Sequence, residues 1–342
     1  MKLSFEKSVL HYWQLLDGDE SKGYILKIKW KQQHINNSCA SACLAMLLSN
    51  YGIDKEDYDV IEESKMPYLI KYDKENDSYH SGMLVQNDEI FNIMTLKYRM
   101  EFFHNEFKNW DEYFRKAKEL LTDNIPFMTG ISIKFIPSSG YDNAKNITSS
   151  HAIVIDNFKN NCFHILDPDA GLLRDKRYNF DEIKEFVCLN ITLENFRKGI
   201  ENKKGKKFLI GYLNNSKSSN NIDFNKLIQQ SKRAIELYPQ RIQNIKNKFV
   251  DNEKNSYEDF HSFIIRYIKP LAIDLKNALK TIKNKNNPQN NLIETLQNYQ
   301  NFVLEFQIKV QNMNMNYLEF FEEIFIRADE IKKLILQHLK SV

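Results

Sequence analysis

Four residues, far apart in the chain, have the types that acyl chemistry through a thiol requires: Gln33, Cys39, His151 and Asp167. Cys39 follows Asn36-Asn37-Ser38, three good helix-capping types, and precedes the apolar run Leu44-Ala45-Met46. A helix starting there places Cys39 in its first turn, where unpaired N–H groups and the helix dipole favour an anion. That placement lowers a thiol pKa and promotes the nucleophilic thiolate. His151 opens the run His-Ala-Ile-Val-Ile and would serve as the base, taking the thiol proton and later handing it to a leaving group. Asp167 would orient that imidazole and stabilise its protonated form. The side-chain amide of Gln33, six residues before Cys39, would join the Cys39 N–H in meeting a developing oxyanion.

These side chains are useful only if the surrounding elements bring them together. Residues 39–51 read as a short apolar-faced helix and 111–122 as another. Residues 128–135, 151–158, 162–166 and 207–213 read as strands. Lys159-Asn160-Asn161 is a turn signal, so 151–167 reads as a hairpin. If 158 faces 162, His151 falls opposite residue 169, a short slip from Asp167. Asp156 and Asp169 are the rival orienters. One early helix followed by mostly antiparallel strands makes the fold class α+β.

From Leu292 the apolar positions run Leu296, Tyr299, Val303, Phe306, Val310, Met313, Tyr317, Phe320 and Ile324. This heptad seam predicts one long helix in a bundle or coiled coil. Helices over 223–250 and 256–284 precede it, with Pro270 kinking or dividing the second. A bundle cap is the plain reading of this region; a dimerisation arm is the sharper one.

The motifs carry a family resemblance. Gln33, Cys39, Ala42, Leu44-Ala45-Met46 and the closing Tyr51-Gly52 resemble the nucleophile segment of the double-glycine leader peptidases, papain-like domains fused to bacteriocin exporters. His151-Ala-Ile-Val-Ile and Asp167-Pro-Asp-Ala-Gly resemble that family's His and Asp segments. The resemblance implies a papain-like fold over 31–213, with Cys39 as nucleophile, His151 as base, Asp167 as orienter and Gln33 as oxyanion donor. Ala40 stands where that family usually has Gly, and the interval of 112 from Cys39 to His151 is longer than in the exporter domains. A helical region follows in place of an exporter. In these respects the chain looks more like the butirosin-biosynthesis acyltransferases, which pass an acyl group from a carrier protein to an amine. That likeness implies an acyl or peptidyl carrier partner bearing a phosphopantetheine-bound donor, a small amine acceptor, and a place in peptide or natural-product biosynthesis.

Rival readings use the same residues. A zinc site from Cys39, Cys43, Cys162 and His164 lacks the spacing of a recognised knuckle, so Cys43, Cys162 and Cys188 read as core. No cofactor or metal is expected. A leader peptidase would use the same four residues on a peptide. A non-catalytic clamp for a peptide or carrier protein would not need the nucleophile. His34 reads as a solvent-exposed spectator, and the Tyr-, Lys- and acid-rich stretch 55–80 either as a cover over the cleft or as a solvated loop.

Composition narrows the classes further. The 342 residues, 42% hydrophobic and 27% charged, argue against wholesale disorder and suggest two domains. A net charge of +3, from 48 basic and 45 acidic side chains, argues against a nucleic-acid binder. No stretch approaches the ~18 apolar residues of a membrane span, and Met1–Lys7 has no apolar signal core, so a cytoplasmic location is expected. All ten glycines lie at or before Gly211, and Asn214–Asn221 is a polar linker candidate. The expected division is an N-terminal extension, 1–30; a catalytic domain, 31–213; a linker, 214–221; and a helical region, 222–342, through which a homodimer would form.

Overall fold

The computed structural model describes residues 28–35, 38–82, 88–136, 150–169, 187–202, 207–215, 222–251, 257–281, 290–312 and 317–340. The expected extension 1–30 and linker 214–221 fall mostly outside these residues. The first part is α+β with a papain-like arrangement, and the last part is helical. Among the described residues no helix is long and apolar enough to cross a membrane.

Helix α1 (Cys39–Ser49) is followed by α2 (Asp57–Glu63), the hairpin β1 (Ile70–Asp73) and β2 (Ser78–Ser81), and α3 (Asp88–Thr95). Then come β3 (Met100–Phe107), α4 (Trp110–Thr122), β4 (Phe127–Ser132), β5 (Ser150–Lys159), β6 (Cys162–Leu166), β7 (Cys188–Thr192), α5 (Leu193–Glu201) and β8 (Phe208–Asn215). Six of the strands form one antiparallel sheet in the order β3-β8-β4-β5-β6-β7. Strand β4 stops at Ser132, and 133–135 form a single 3₁₀ turn instead of continuing the expected strand.

The two faces of the sheet are covered by different helices. On one face α1 packs with Met128, Val154, Leu166 and Leu213. Every residue of α1 from Ala40 to Ser49 is buried, so this helix is enclosed all round and not merely on one face. Each of its Leu and Met side chains contributes roughly 1.5–3 kcal/mol by leaving water, and together they fix where Cys39 sits. On the other face α4 and α5 bury Tyr113, Phe196 and Ile200 against Ile153, Ile155, Phe163 and Ile165.

Hairpin β5–β6 closes through Asn160 and Asn161, both left-handed (φ 52° and 60°), between the paired residues Lys159 and Cys162. Asn tolerates this conformation, and two such residues make the tight turn that suits twisted strands. The register slips by one residue at Asp156, so that Val154 faces Leu166. The bulge and the tighter turn cancel, and His151 is directed toward the 167–169 turn as the hairpin reading expected.

The helical part differs from expectation in two places. Residues 223–250 form two helices, α6 (Phe224–Glu236) and α7 (Tyr238–Asp251), because Pro239 lacks the N–H that would carry one helix through. The heptad segment is not one long helix either. It divides into α10 (Asn290–Asn312) and α11 (Tyr317–Lys340). Phe306 and Phe320 have ring centroids 4.3 Å apart, whereas one straight helix would separate them by about 21 Å. Between these pairs, α8 (Tyr257–Phe263) continues through π-helical turns at Ile264–Ile268 and Pro270–Leu275 into α9 (Lys276–Lys280). These wide turns accommodate Pro270 without ending the helix.

Stretch 55–80 is not a solvated loop but holds α2 and the strands β1 and β2, with Val60, Ile61, Met66 and Tyr79 buried. Its hairpin is the plug that joins the two parts. Tyr79 is fully buried and donates to the Ala234 carbonyl at 2.9 Å, and the Ile70 N–H donates to Ser231 Oγ at 2.9 Å. Asp77 accepts from Tyr72 and from Tyr267, and the Arg241 guanidinium lies 3.3 Å from the Tyr72 ring centroid.

A second latch is His338 on α11, stacked on Tyr68 at 4.7 Å. Burial pushes its pKa down to about 4, against a hydrogen bond with the Pro67 backbone. The folded state therefore holds neutral His338, and its stability contribution is complete above the unfolded pKa of about 6.5. Stability falls as pH drops from about 6.5 toward about 4, by up to about 3 kcal/mol. Thermal melts across this range check it: His338→Phe, which keeps a ring for the stack, flattens the dependence.

Candidate active site

Cys39 is the first residue of α1 and is half-buried. Ser38 stands at the capping position, but its hydroxyl caps nothing. Instead it donates to the Ile35 carbonyl (2.7 Å) and to Asp57 Oδ2 (2.6 Å). Ser38 thus takes none of the first-turn N–H groups, and no acidic side chain competes for them. Asn36 and Asn37, the other expected caps, lie outside the described residues.

His151, 7% exposed, sits at the start of β5, and its Nε2 meets Asp167 Oδ1 at 2.7 Å. That contact leaves the other ring nitrogen, Nδ1, free of Asp167, and the Cys39 sulfur and the His151 ring lie close enough to shift each other's titration. Asp167, 2% exposed, is held in turn by the Asp169 N–H (2.8 Å, to Oδ1), and its own N–H donates to the Val187 carbonyl (2.8 Å). Burial opposes the imidazolium of His151, but the Asp167 charge and hydrogen bond, joined by Cys39, raise its pKa well above the ordinary value. Burial likewise opposes the Cys39 thiolate. The His151 hydrogen bond and charge, with the Ala152 and Ala40 backbone groups, outweigh that and lower the thiol pKa. Cys43, one turn along α1, goes the other way: burial and the nearby Cys39 and Asp167 raise it well above the thiol range. The two thiols of one helix are thus pushed in opposite directions, Cys39 toward the thiolate and Cys43 away from it.

Gln33 is 4% exposed. Its Nε2 donates to the Ile35 carbonyl at 2.9 Å, which leaves the second amide hydrogen of that nitrogen available. The backbone of this segment is tied to the Asp167 turn: the Gln33 N–H donates to the Pro168 carbonyl (2.7 Å) and Trp30 Nε1 to the Asp167 carbonyl (2.6 Å). Cys39, His151 and Asp167 therefore meet at the start of α1, and the Gln33 backbone is tied to the turn that carries Asp167. The rivals do not. Asp156 is taken by His164 Nδ1, and among the described residues no three His, Cys, Asp or Glu side chains cluster to hold a metal.

Two readings need correction. His34 is not an exposed spectator: its N–H and Nδ1 both donate to Asp57, each at 2.8 Å. Asp57 itself was not singled out. A signal was present, because Asp57, Val60 and Ile61 share a face at helical spacing and all three are buried. An acid on an apolar face is an acid with partners elsewhere in the fold.

A nucleophilic thiol at a helix start, facing a carboxylate-oriented histidine on a sheet, is the arrangement of the papain-like class of cysteine enzymes. Residues 25–190 match the model of the Peptidase_C39 like family, so this part of the chain is similar to the papain-like C39 peptidases. A crystal structure of a C39-like peptidase from Bacillus anthracis is 14% identical, with a TM-score of 0.35, over 56% of this chain and 98% of that one. No curated protein matches the chain.

Proposed function

We propose that the protein catalyses cysteine-dependent acyl transfer, forming an amide from a carrier-bound thioester and an amine. The observation that carries the covalent step is the Cys39–His151–Asp167 constellation, with the His151–Asp167 contact at 2.7 Å. The Cys39 thiolate attacks the donor carbonyl, and the oxyanion forms beside the Cys39 N–H and the Gln33 amide. The C–S bond to the carrier breaks, and the carrier thiol leaves with the proton from His151. An amine then attacks the Cys39 thioester and gives its proton to His151. The C–N bond forms as the bond to Cys39 breaks, and the thiolate is restored. A thiolate exchanges readily with a thioester, because thiol replaces thiol. The helical region favours aminolysis over hydrolysis if it keeps water from the acyl-enzyme.

A peptidase is the second reading, favoured by the match of residues 25–190 to a peptidase-type family. It uses the same four residues and takes a precursor peptide cut after a double-glycine-type site. Intact-mass measurement after incubation with an acyl phosphopantetheine thioester and amines, and separately with Gly-Gly-containing peptides, tests both. An acyl adduct on Cys39 that is discharged to amide supports the transferase. Cleavage of peptide without amide formation overturns it in favour of the peptidase. A Cys39→Ala chain with full biological activity overturns both in favour of a non-catalytic clamp.

A further inference from the structure

We infer that Asp57 is a positioning residue that sets the distance between the oxyanion donor Gln33 and the nucleophile Cys39, an inference that rests on the active-site reading above. Asp57 is fully buried, and a buried carboxylate is costly unless hydrogen bonds surround it. Four donors do so. Oδ2 accepts from the His34 N–H (2.8 Å) and the Ser38 hydroxyl (2.6 Å), while Oδ1 accepts from His34 Nδ1 (2.8 Å) and the Tyr58 N–H (2.9 Å). His34 and Ser38 are the first and last residues of the short loop that links Gln33 to Cys39. One buried carboxylate therefore holds both the residue that follows Gln33 and the residue that precedes Cys39.

The hold on Ser38 has a second effect. A serine at this position ordinarily accepts from a first-turn N–H. Here its hydroxyl hydrogen is directed to Asp57 and Ile35, and it makes no cap. The N–H groups beside Cys39 stay open for the sulfur and the oxyanion. Asp57 thus withdraws the one side chain that would otherwise compete with substrate for them.

The neighbouring braces act on other parts of the same segment. Lys31, 8% exposed, is paired with Asp54 (2.5 Å) and Glu56 (2.8 Å), just before Asp57. Trp30 and the Gln33 backbone are fastened to the Asp167–Pro168 turn on the other side. These bonds fix the segment before Gln33, and Asp57 holds His34 and Ser38. Neither His151 nor Asp167 is among its partners. Loosening Asp57 should therefore degrade oxyanion stabilisation, which tolerates only about 0.5 Å of misplacement, and leave thiolate formation largely intact.

The test compares two rates on the full chain: alkylation of Cys39 by iodoacetamide, which reads the thiolate, and acylation of Cys39 by p-nitrophenyl acetate, which also needs the oxyanion site. In Asp57→Ala acylation falls by about 10²-fold while alkylation changes by less than about threefold, the same split as Gln33→Ala, whose own loss is about 10²–10³-fold. Asp57→Asn, which keeps one acceptor oxygen, recovers part of the loss. The Gln33→Ala/Asp57→Ala pair loses less than the product of the single losses, because both act on one oxyanion site. Should Asp57→Ala not fold, Asp57→Asn and Ser38→Ala, with melting curves, give the same comparison. A parallel fall in both rates, or a fully multiplicative double variant, assigns Asp57 a merely structural role and overturns the inference. Asp57 variants that are acylated as fast as a wild-type chain that is itself acylated overturn this inference alone. A wild-type chain that is not acylated at all overturns the active-site reading and this inference with it.

Discussion

Cys39→Ala abolishes covalent acylation: intact-mass spectra show no acyl adduct, and turnover of any thioester or peptide substrate falls by about 10⁴-fold or more. The expectation follows from the covalent route, in which loss of the nucleophile removes the pathway itself and leaves only binding and oxyanion stabilisation. Cys43→Ala is the control on the same helix. Burial holds the Cys43 thiol well above its ordinary pKa, so it forms no nucleophile and its loss leaves the adduct on Cys39 in place. Adduct formation that survives in Cys39→Ala and vanishes in Cys43→Ala would move the chemistry to the wrong cysteine and refute the site.

Asp167 gives the second large effect, and its signature is a pH profile. In the wild-type chain the lowered Cys39 pKa brings the thiolate in below the ordinary thiol range, so alkylation begins at lower pH than for a free cysteine. The raised His151 pKa keeps the imidazolium present above its ordinary value. The reactive ion pair exists between the two titrations. Asp167→Asn keeps a group that accepts from His151 Nε2 but removes the charge. His151 then loses its proton at lower pH, Cys39 loses its counter-charge and titrates at higher pH, and the window narrows from both sides. Asp167→Ala removes the orientation as well, with a loss of about 10²–10⁴-fold in acyl transfer, the range for a general acid–base group. Alkylation rates across pH separate the two variants. An unchanged window in Asp167→Asn would show that the carboxylate does not tune the pair.

Much of the site is legible in the sequence because its parts are governed by local rules. An apolar run behind residues of helix-capping type marks the start of α1 at Cys39, although Ser38 makes no cap there. Two asparagines between apolar runs close a hairpin, and a hairpin brings its two ends together whatever lies around it. The bulge at Asp156 was not foreseen, yet it offsets the tighter turn and His151 still reaches Asp167 at 2.7 Å. The heptad seam from Leu292 was equally visible but did not determine a single helix. A seam of this period is the same whether one helix continues or two fold back on each other, and only the stacking of Phe302 and Phe306 with Phe320 tells the two apart.

Thus the sequence alone determined the chemical types at the site, the helix start under Cys39, the hairpin that pairs His151 with Asp167, and the helical character of the last third. Each depends on residues close in the chain or on a repeat within one segment. Tertiary structure alone decided that the 70–81 hairpin is the plug into the helical part, that His34 and Ser38 are gripped by Asp57, and that Gln33 is tied to the Asp167 turn. Those contacts join segments through buried hydrogen bonds, whose partners are chosen by how the helices and sheet pack and not by the residues beside them in sequence.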